Sequence, residues 1–262
     1  MNLDNFNNLI ELFFYQAEKQ DSKSVLLQWL NPNNKKTYTW EETLTNILKL
    51  SKTIKKNIDN KLPIYKLTSK KEVLKYYNDW TNNAQFNQDM VAWKYTAPTN
   101  AAKLLCKYSP NKDIQILDAG CGSGLVGIEL AKNGYINITG ADFSQSMMDL
   151  IPKNNYKSLK LIDLNENLFF KKNSFDAIIC VGTFTDGHVK AHALDEFIRI
   201  TKNNGLICFT VNEGIYGKYK FDKKIAELSK NNSWNILELS KSTYIVNKDV
   251  HAWLCIVKVN KN

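Results

Sequence analysis

The residues best suited to chemistry lie in the stretch ILDAGCGSGLVGIELAKNG, residues 116–134. Two glycine patterns overlap there, GxGxxG over residues 122–127 and DxGxGxG over residues 118–124. Glycines permit a tight turn and a close approach of backbone to a ligand, and the helix that follows presents free amide groups. Asp142 comes 18 residues after Gly124, where a carboxylate can accept both hydroxyls of an adenosine ribose. We therefore expect an adenosine-containing ligand on this loop.

Asp118 distinguishes between two classes of such ligands. A dinucleotide would place a negatively charged pyrophosphate on the loop, and an aspartate beside it would repel that group. S-adenosylmethionine instead has an α-ammonium group and a sulfonium, for which a nearby carboxylate is favourable. The pattern therefore favours S-adenosylmethionine, and a nicotinamide-dependent oxidoreductase is the weaker alternative.

Hydrophobic patterning predicts the elements that position this loop. Strands are expected at residues 114–119, 137–142, 159–163, 175–181, 206–211, 234–240 and 251–259. Helices, among them residues 124–133, 144–151 and 188–203, alternate with the first five strands, which is typical of a doubly wound parallel sheet. The short connection between the last two strands predicts an antiparallel pair. The predicted fold class is α/β, with a Rossmann-like seven-stranded, mostly parallel sheet and an antiparallel last strand.

The first quarter of the chain differs from the rest in its pattern of predicted helices and strands. Residues 1–62 are predicted to form a small α+β extension with helices near residues 9–17 and 41–57 and strands at residues 24–30 and 36–40. Residues 63–70 are expected to be a linker, and residues 71–262 the main domain.

Composition excludes several classes of protein. The net charge is +9, yet Arg199 is the only arginine, and arginine is the preferred side chain for phosphates and guanine edges, so nucleic-acid binding is not expected. The five cysteines are widely spaced without a CxxC pair, which argues against disulfides and zinc. The chain has neither an apolar run of about 18 residues nor a secretory signal pattern, so a cytoplasmic protein is expected.

LDAGCGSG and GADFSQSMM resemble the first two motifs of class I S-adenosylmethionine-dependent methyltransferases. The resemblance implies that the glycine loop holds the methionine part, Asp142 the ribose, and the residues after the next two strands the adenine. Core packing is the alternative role for Met147. The cofactor-binding residues implied are Tyr76, Trp80, Asp118, Gly120, Cys121, Gly122, Asp142, Phe143, Met147, Asp163, Leu164 and Val181.

Three further stretches, YYNDWTNNAQFNQDMVAWKYTAP, GTFTDGHV and YGKYKFDKKIAELSKNNSWNILE, resemble a narrower family. This is the methyltransferase-like family named after the Williams–Beuren syndrome chromosome region, and the resemblance covers about residues 72–258. It implies that Tyr76, Tyr77 and Trp80 form a lid over the cofactor, where aromatic faces suit a sulfonium. Packing of these rings on the sheet is the alternative.

His188 is the candidate general base for an acceptor that is protonated near neutral pH, and Asp186 is a candidate to orient it. Alternatively, both residues cap a helix that begins near Val189. His192 follows one turn later, but a third ligand is not evident and no metal is expected. The strand before this segment ends CVGTF rather than Asn/Asp-Pro-Pro-Tyr, which disfavours methylation of DNA adenine or protein glutamine. A small-molecule acceptor is therefore favoured.

Within residues 1–62, TYTWEE and the amphipathic helix after it resemble the extreme N-terminus of acyl-CoA synthetases and acyl-AMP ligases. The phosphate loop of those enzymes is missing from the sequence, so adenylation is not expected. A docking role with a protein partner is the alternative function, in which the chain would be a non-catalytic S-adenosylmethionine-binding subunit of a biosynthetic or acyl-transfer complex.

Overall fold

The computed structural model describes residues 25–31, 34–39, 67, 69–82 and 85–261. The chain divides into two compact units, Met1–Pro63 and Ile64–Asn262. The described part of the first unit is an antiparallel pair of strands, β1 (Val25–Asn31) and β2 (Asn34–Thr39), which confirms the two strands expected there. The helices predicted near residues 9–17 and 41–57 lie outside the described residues.

In the described part of the second unit, seven strands form one sheet, and all seven were predicted. They are β3 (Ile116–Ala119), β4 (Ile138–Asp142), β5 (Ser158–Leu161), β6 (Phe175–Phe184), β7 (Thr201–Asn212), β8 (Trp234–Ile245) and β9 (Val250–Val259). Their order is β5-β4-β3-β6-β7-β9-β8. The first five are parallel, and β9 lies between β7 and β8, antiparallel to both. The α/β fold with an antiparallel last strand is thereby confirmed.

The described helices flank this sheet. They are α1 (Lys70–Thr81), α2 (Gln85–Ala92), α3 (Ala97–Tyr108), α4 (Leu125–Lys132), α5 (Gln145–Met148), α6 (Ala193–Ile200), α7 (Glu213–Tyr216) and α8 (Phe221–Lys230). Among these helices, none has the length and apolar content needed to cross a membrane. The five cysteines all lie in the described part of the chain, and each is a free thiol.

The alternation of side chains along the buried strands divides the core into two layers. Leu117 and Ala119 point to one face, where they join a buried cluster with Phe197 of α6 and Phe221 of α8. Asp118 lies between them in the sequence and therefore points to the opposite face. This alternation places one carboxylate on the side of the sheet that does not contain the main apolar cluster.

Helix α6 is shorter than predicted, because it begins at Ala193 and the chain enters β7 at Thr201. Residues 188–192 are not helical: the amide of His188 donates to the Thr185 carbonyl at 3.3 Å, and the amide of Lys190 donates to the Asn165 side chain at 3.2 Å. These bonds satisfy the backbone groups that a helix would otherwise use. His188 therefore precedes the helix, which begins at Ala193 and not near Val189 as predicted.

Candidate functional site

The glycine loop follows β3 and ends where α4 begins. Gly120 has a φ of +79°, and a Cβ atom built there would lie 2.1 Å from Thr183 Oγ1, so both conformation and space require glycine. The amides of Gly120 and Cys121 donate to the carbonyl of Ala141 at 2.7 and 3.0 Å. The loop is thus fixed against the end of β4. Cys121 is buried, and burial raises the pKa of its thiol far above the ordinary value, which makes the thiol unreactive.

Asp118 is the most unusual carboxylate in the described part of the chain. Its side chain is fully buried, and Oδ2 accepts a hydrogen bond from the Tyr156 hydroxyl at 2.6 Å. Among the described residues, Oδ1 has no hydrogen-bond partner although it is buried. Burial raises the pKa of Asp118 to about 7, against the opposing effect of the Tyr156 hydrogen bond. A buried acceptor of this kind needs a donor, and a ligand cation would supply one.

Asp142 ends β4 and joins two loops. Its Oδ2 accepts from the amide of Gly122 at 2.8 Å, and its Oδ1 accepts from the amide of Ser144 at 2.9 Å. Burial raises the pKa of Asp142, and these backbone hydrogen bonds act against that rise. Each carboxylate oxygen has a further lone pair, so both can also accept from a ribose diol.

Phe143, Met147 and Leu164 provide the apolar surroundings. The Phe143 ring lies 6.2 Å from the Tyr77 ring in an edge-to-face arrangement. Met147 is buried, and its Cε atom would lie 3.3 Å from a Cβ atom built on Gly122. Leu164 is also buried, in the main apolar cluster that contains Leu117 and Phe197. Met147 therefore packs directly against the glycine loop, a contact compatible with both of its predicted roles.

Asp163 follows β5 and faces helix α1. Its Oδ2 forms an ion pair with Lys70 Nζ at 2.7 Å, and its Oδ1 accepts from the amide of Asn165 at 3.0 Å. Burial opposes ionisation of Asp163, but the hydrogen bonds from Lys70 and Asn165 lower its pKa below the ordinary value. The side chain expected at adenine thus also anchors the first turn of α1.

Helix α1 provides the aromatic side chains. The Tyr77 ring contacts Phe143 and lies 5.8 Å from the imidazole of His188. Trp80 packs instead on Phe86 at 4.9 Å and donates through Nε1 to Asp89 at 2.7 Å, both on α2. Tyr77 is therefore the aromatic residue of α1 that the contacts tie to the site, whereas Trp80 joins α1 to α2. Tyr76 packs edge-on against Trp80 at 5.2 Å.

His188 lies in the turn after β6 with contacts on both ring nitrogens. Nδ1 lies 2.8 Å from Thr185 Oγ1 and 2.9 Å from the carbonyl oxygen of Asp186, and Nε2 lies 2.9 Å from the Tyr77 hydroxyl. Because a carbonyl oxygen only accepts, we assign the proton of the neutral ring to Nδ1 and the free lone pair to Nε2. Burial lowers the pKa of His188, so the ring is neutral at pH 7.

The carboxylate of Asp186 does not contact His188, in contrast to the orienting role expected of it. It forms an ion pair with Lys218 at 2.8 Å and accepts a hydrogen bond from the Tyr219 hydroxyl. The backbone carbonyl of Asp186 orients the imidazole instead. His192 lies at the start of α6 with its Nε2 3.1 Å from the carbonyl of Asn165. The two histidines have separate partners.

Two tyrosines that were not predicted as site residues converge at the end of β6. Val181 is buried, and Gly182 beside it has a φ of +79°. A Cβ atom on Gly182 would lie 2.6 Å from the Tyr95 hydroxyl and 3.3 Å from the Tyr244 hydroxyl. Tyr244 lies in the segment that was interpreted as a turn, but β8 continues through it because the strand pairs with β9 up to Ile245. Sequence alone offered no signal for this convergence.

Comparison with known proteins shows a similarity to methyltransferase domains. Residues 117–209 match the family model of a methyltransferase domain. The chain is 34% identical over 141 residues to human methyltransferase-like protein 27, a match that covers 52% of this chain and 56% of that protein. Three curated relatives match more than half of this chain. In each of them the match covers only 56–62% of the relative's own length.

The fold is shared with solved structures of low sequence identity. Magnesium protoporphyrin IX methyltransferase from Synechocystis PCC 6803, solved with bound S-adenosylmethionine, has a TM-score of 0.53 and 16% identity, covering 71% of this chain and 97% of that one. The cyclase SpnF has a TM-score of 0.50 and 14% identity, covering 63% and 82%. These likenesses concern the fold alone.

The residues present fit S-adenosylmethionine. Oδ1 of Asp118, buried and without a hydrogen-bond partner among the described residues, suits an ammonium group. The Asp142 carboxylate suits a ribose diol, and the Tyr77 and Phe143 rings suit adenine or a sulfonium. Residues 117–209 thus match a methyltransferase domain in sequence, and the fold and site of the Ile64–Asn262 unit fit one that uses S-adenosylmethionine.

Proposed function

We propose that this chain transfers a methyl group from S-adenosylmethionine to a small-molecule acceptor whose proton is taken by His188. The observation that supports this most directly is the hydrogen bond between His188 Nε2 and the Tyr77 hydroxyl. With Nδ1 committed to the Asp186 carbonyl, Nε2 is the basic nitrogen, and it already accepts from an O–H group. An acceptor with a hydroxyl or amine at the position of the Tyr77 hydroxyl would meet the same lone pair.

S-adenosylmethionine supplies the methyl group and a sulfonium leaving group. The acceptor oxygen or nitrogen forms the new bond to carbon, the electrons of the sulfur–carbon bond remain on sulfur, and S-adenosylhomocysteine is the second product. His188 takes the proton that the acceptor loses and releases it later to solvent. A neutral imidazole is required for this step, and the lowered pKa of His188 keeps it neutral at physiological pH.

Under this proposal Asp118 faces the α-ammonium group, Asp142 the ribose, and Phe143 and Met147 the adenine. Cys121, Asp163, Leu164 and Val181 stay predicted contacts of the same cofactor. The finer resemblance to the Williams–Beuren family supports the same cofactor and names no acceptor. The small-molecule acceptor is supported by the CVGTF end of β6, which lacks the element that grips a nucleobase or glutamine amide.

A labelling experiment tests the class of acceptor. The full chain would be incubated with methyl-labelled S-adenosylmethionine and a cell extract separated into metabolite, protein and nucleic-acid fractions. We expect label in the metabolite fraction. Label confined to protein or nucleic acid would overturn the small-molecule assignment, and S-adenosylhomocysteine binding without any transfer would favour the non-catalytic alternative.

Replacement of His188 tests the base. With the identified acceptor, His188→Asn should lower kcat by about 10²- to 10⁴-fold, because the proton then has no side-chain acceptor. The affinity for S-adenosylhomocysteine should stay within about twofold, since no binding energy is assigned to this side chain. His192→Asn is the matched control and should change neither quantity. An unchanged kcat for His188→Asn would contradict the assignment.

A further inference from the structure

The hydroxyl of Tyr156 joins the strand before the glycine loop to the helix after it. It donates to Asp118 Oδ2 at 2.6 Å and accepts from the amide of Gly127 at 3.1 Å. Gly127 lies in the first turn of α4, where amide groups lack partners within the helix. An amide that donates to the phenol oxygen makes the phenol a stronger donor, so the positive end of the helix reinforces the hydrogen bond to Asp118.

Glycines create the space that the Tyr156 ring occupies. A Cβ atom built on Gly127 would lie 2.3 Å from both Cζ and the hydroxyl oxygen of Tyr156, and one on Gly140 would lie 3.1 Å from Cδ1. One on Gly124 would lie 3.3 Å from Cε2. Such distances from Gly127 are impossible for a real side chain, so this glycine is needed for the ring above it. The third glycine of the GxGxxG pattern therefore serves the tyrosine.

The consequence for Asp118 is a fixed carboxylate with one oxygen engaged. Oδ2 is held by Tyr156, and Oδ1 is the atom that has no partner among the described residues. Without the phenol, the buried carboxylate could rotate and would lose the hydrogen bond that stabilises its ionised form. Tyr156 thus fixes the orientation of the Asp118 carboxylate and favours its ionised form.

We propose that Tyr156 is a positioning residue for the cofactor: its hydroxyl holds Asp118 so that Oδ1 receives the α-ammonium group of S-adenosylmethionine, directly or through one bound water. The inference rests on the proposed role of Asp118. It adds that the affinity for the amino-acid end of the cofactor depends on a residue before β5 that the glycine motif does not contain.

Other ionisable groups around Asp118 come from three elements. They are Asp142 at the end of β4, Cys121 in the glycine loop and Cys180 on β6. Burial raises the pKa of both thiols, so they stay neutral below pH 8. Asp142 is then the neighbour that adds negative charge, and it raises the pKa of Asp118 in the wild type and in the variants alike.

Calorimetric titration of the full chain with two ligands tests the proposal. S-adenosylhomocysteine has the α-ammonium group, whereas 5′-methylthioadenosine lacks the whole amino-acid part and keeps the adenosine and sulfur. At pH 8, Tyr156→Phe should weaken S-adenosylhomocysteine about tenfold, the loss of one charge-assisted interaction. It should change the affinity for 5′-methylthioadenosine by less than about twofold, because the phenylalanine ring occupies the same space as the tyrosine ring.

The pH profile gives a readout that a structural role would not alter. The ionised carboxylate binds the ammonium group and the protonated one does not, so wild-type affinity for S-adenosylhomocysteine should rise with pH through about 7. In Tyr156→Phe the midpoint should move to higher pH, because the hydrogen bond that lowers the pKa of Asp118 is gone. The affinity for 5′-methylthioadenosine should show no such midpoint.

Two further variants separate the possible failures. Tyr135→Phe removes another buried phenol hydroxyl, which donates to the Ser109 carbonyl, and should leave both affinities unchanged. Asp118→Asn should weaken S-adenosylhomocysteine selectively and abolish the midpoint. If Asp118→Asn has the selective effect and Tyr156→Phe does not, the role of Tyr156 is overturned. If neither variant discriminates between the ligands, the proposed role of Asp118 fails with it.

Discussion

At the scale of single residues, Asp142 is the carboxylate that connects the glycine loop to the turn after β4. Its two oxygens receive amides from the glycine loop and from the turn after β4, so it fixes the relative position of both segments. A ribose held by this side chain would therefore be placed with respect to the methionine end and the adenine end at once. The same carboxylate serves folding of the loops and binding.

Replacement of this residue should remove both effects. We expect Asp142→Ala to weaken S-adenosylhomocysteine by about 100-fold or more, since two hydrogen bonds to a charged group are lost and the loop amides lose their acceptor. Isothermal titration calorimetry measures the change. Asp149→Ala, which removes an exposed carboxylate that accepts from Gln145, is the control and should bind normally. Equal affinities of the two variants would refute the role of Asp142.

Residue-scale chemistry was predictable where it depended on the local pattern. Asp118, the loop glycines and Asp142 lie at the strand ends where the sequence predicted them. Tyr156, Tyr95 and Tyr244 could not be found in this way, because each reaches its partner across a long sequence separation. Tyr156 is 38 positions from Asp118, and no spacing rule connects them.

At the scale of elements, helix α1 is held over the strand ends along its length. Ser69 and Glu72 form a capping box at its start, so the helix begins at a defined residue. Lys70 pairs with Asp163, Tyr77 contacts His188, and Asn78 accepts a hydrogen bond from Ser146 at 2.6 Å. These contacts reach the segments after β4, β5 and β6. The helix therefore covers the region where the cofactor is proposed to bind.

The ion pair between Lys70 and Asp163 at the start of α1 should influence the dissociation rate of the cofactor. Lys70→Gln is expected to speed dissociation of S-adenosylhomocysteine about two- to fivefold, the modest effect of one partly exposed pair. Association should change less, and stopped-flow fluorescence resolves the two rates. Lys71→Gln, an exposed neighbour on the same helix, should have no effect. Faster dissociation in both variants would point to a general loss of charge rather than to the ion pair.

The boundaries of elements were less predictable than their existence. The hydrophobic pattern gave every strand of the large sheet, but it extended α6 through residues 188–192 and ended β8 too early. In the first case hydrogen bonds that Lys190 and His192 donate to Asn165 compete with the helix, and in the second the pairing of β8 with β9 outweighs the local turn pattern. Asn165 lies 25 residues from Lys190 in the sequence, so local periodicity could not indicate the first of these contacts.

At the scale of the whole molecule, the described sites and the main core belong to one unit. The core cluster extends from Leu117 to Val259, and each predicted cofactor contact lies within Ile64–Asn262. The resemblance of residues 1–62 to acyl-CoA synthetases, and a protein partner for them, stay predictions.

Deletion of the first unit tests this division of roles. A chain beginning at Ile64 should bind S-adenosylhomocysteine within about twofold of the full chain, because the binding energy is assigned to the second unit alone. Titration calorimetry gives the affinity, and thermal unfolding with and without ligand checks that the shortened chain is folded. A folded chain that has lost more than about tenfold in affinity would show that the first unit contributes to the cofactor site.

The architecture by itself does not choose the reaction. Magnesium protoporphyrin IX methyltransferase and the cyclase SpnF share this fold with the chain at 16% and 14% identity. The parallel strands place their carboxyl ends at one edge, which creates a ligand site regardless of the chemistry done there. Under the proposed function, the acceptor and the fate of its proton depend on side chains such as His188, which lie outside the glycine loop.

The sequence by itself determined the strand–helix alternation, the antiparallel end of the sheet and the preference for a cationic ligand. These follow from local periodicity and from the repulsion between Asp118 and a pyrophosphate, neither of which needs coordinates. Only the tertiary structure decided which oxygen of Asp118 is engaged by Tyr156, which nitrogen of His188 is basic and why Gly127 is a glycine. Those outcomes depend on Tyr156, Tyr77 and the Asp186 carbonyl, which folding brings to their partners.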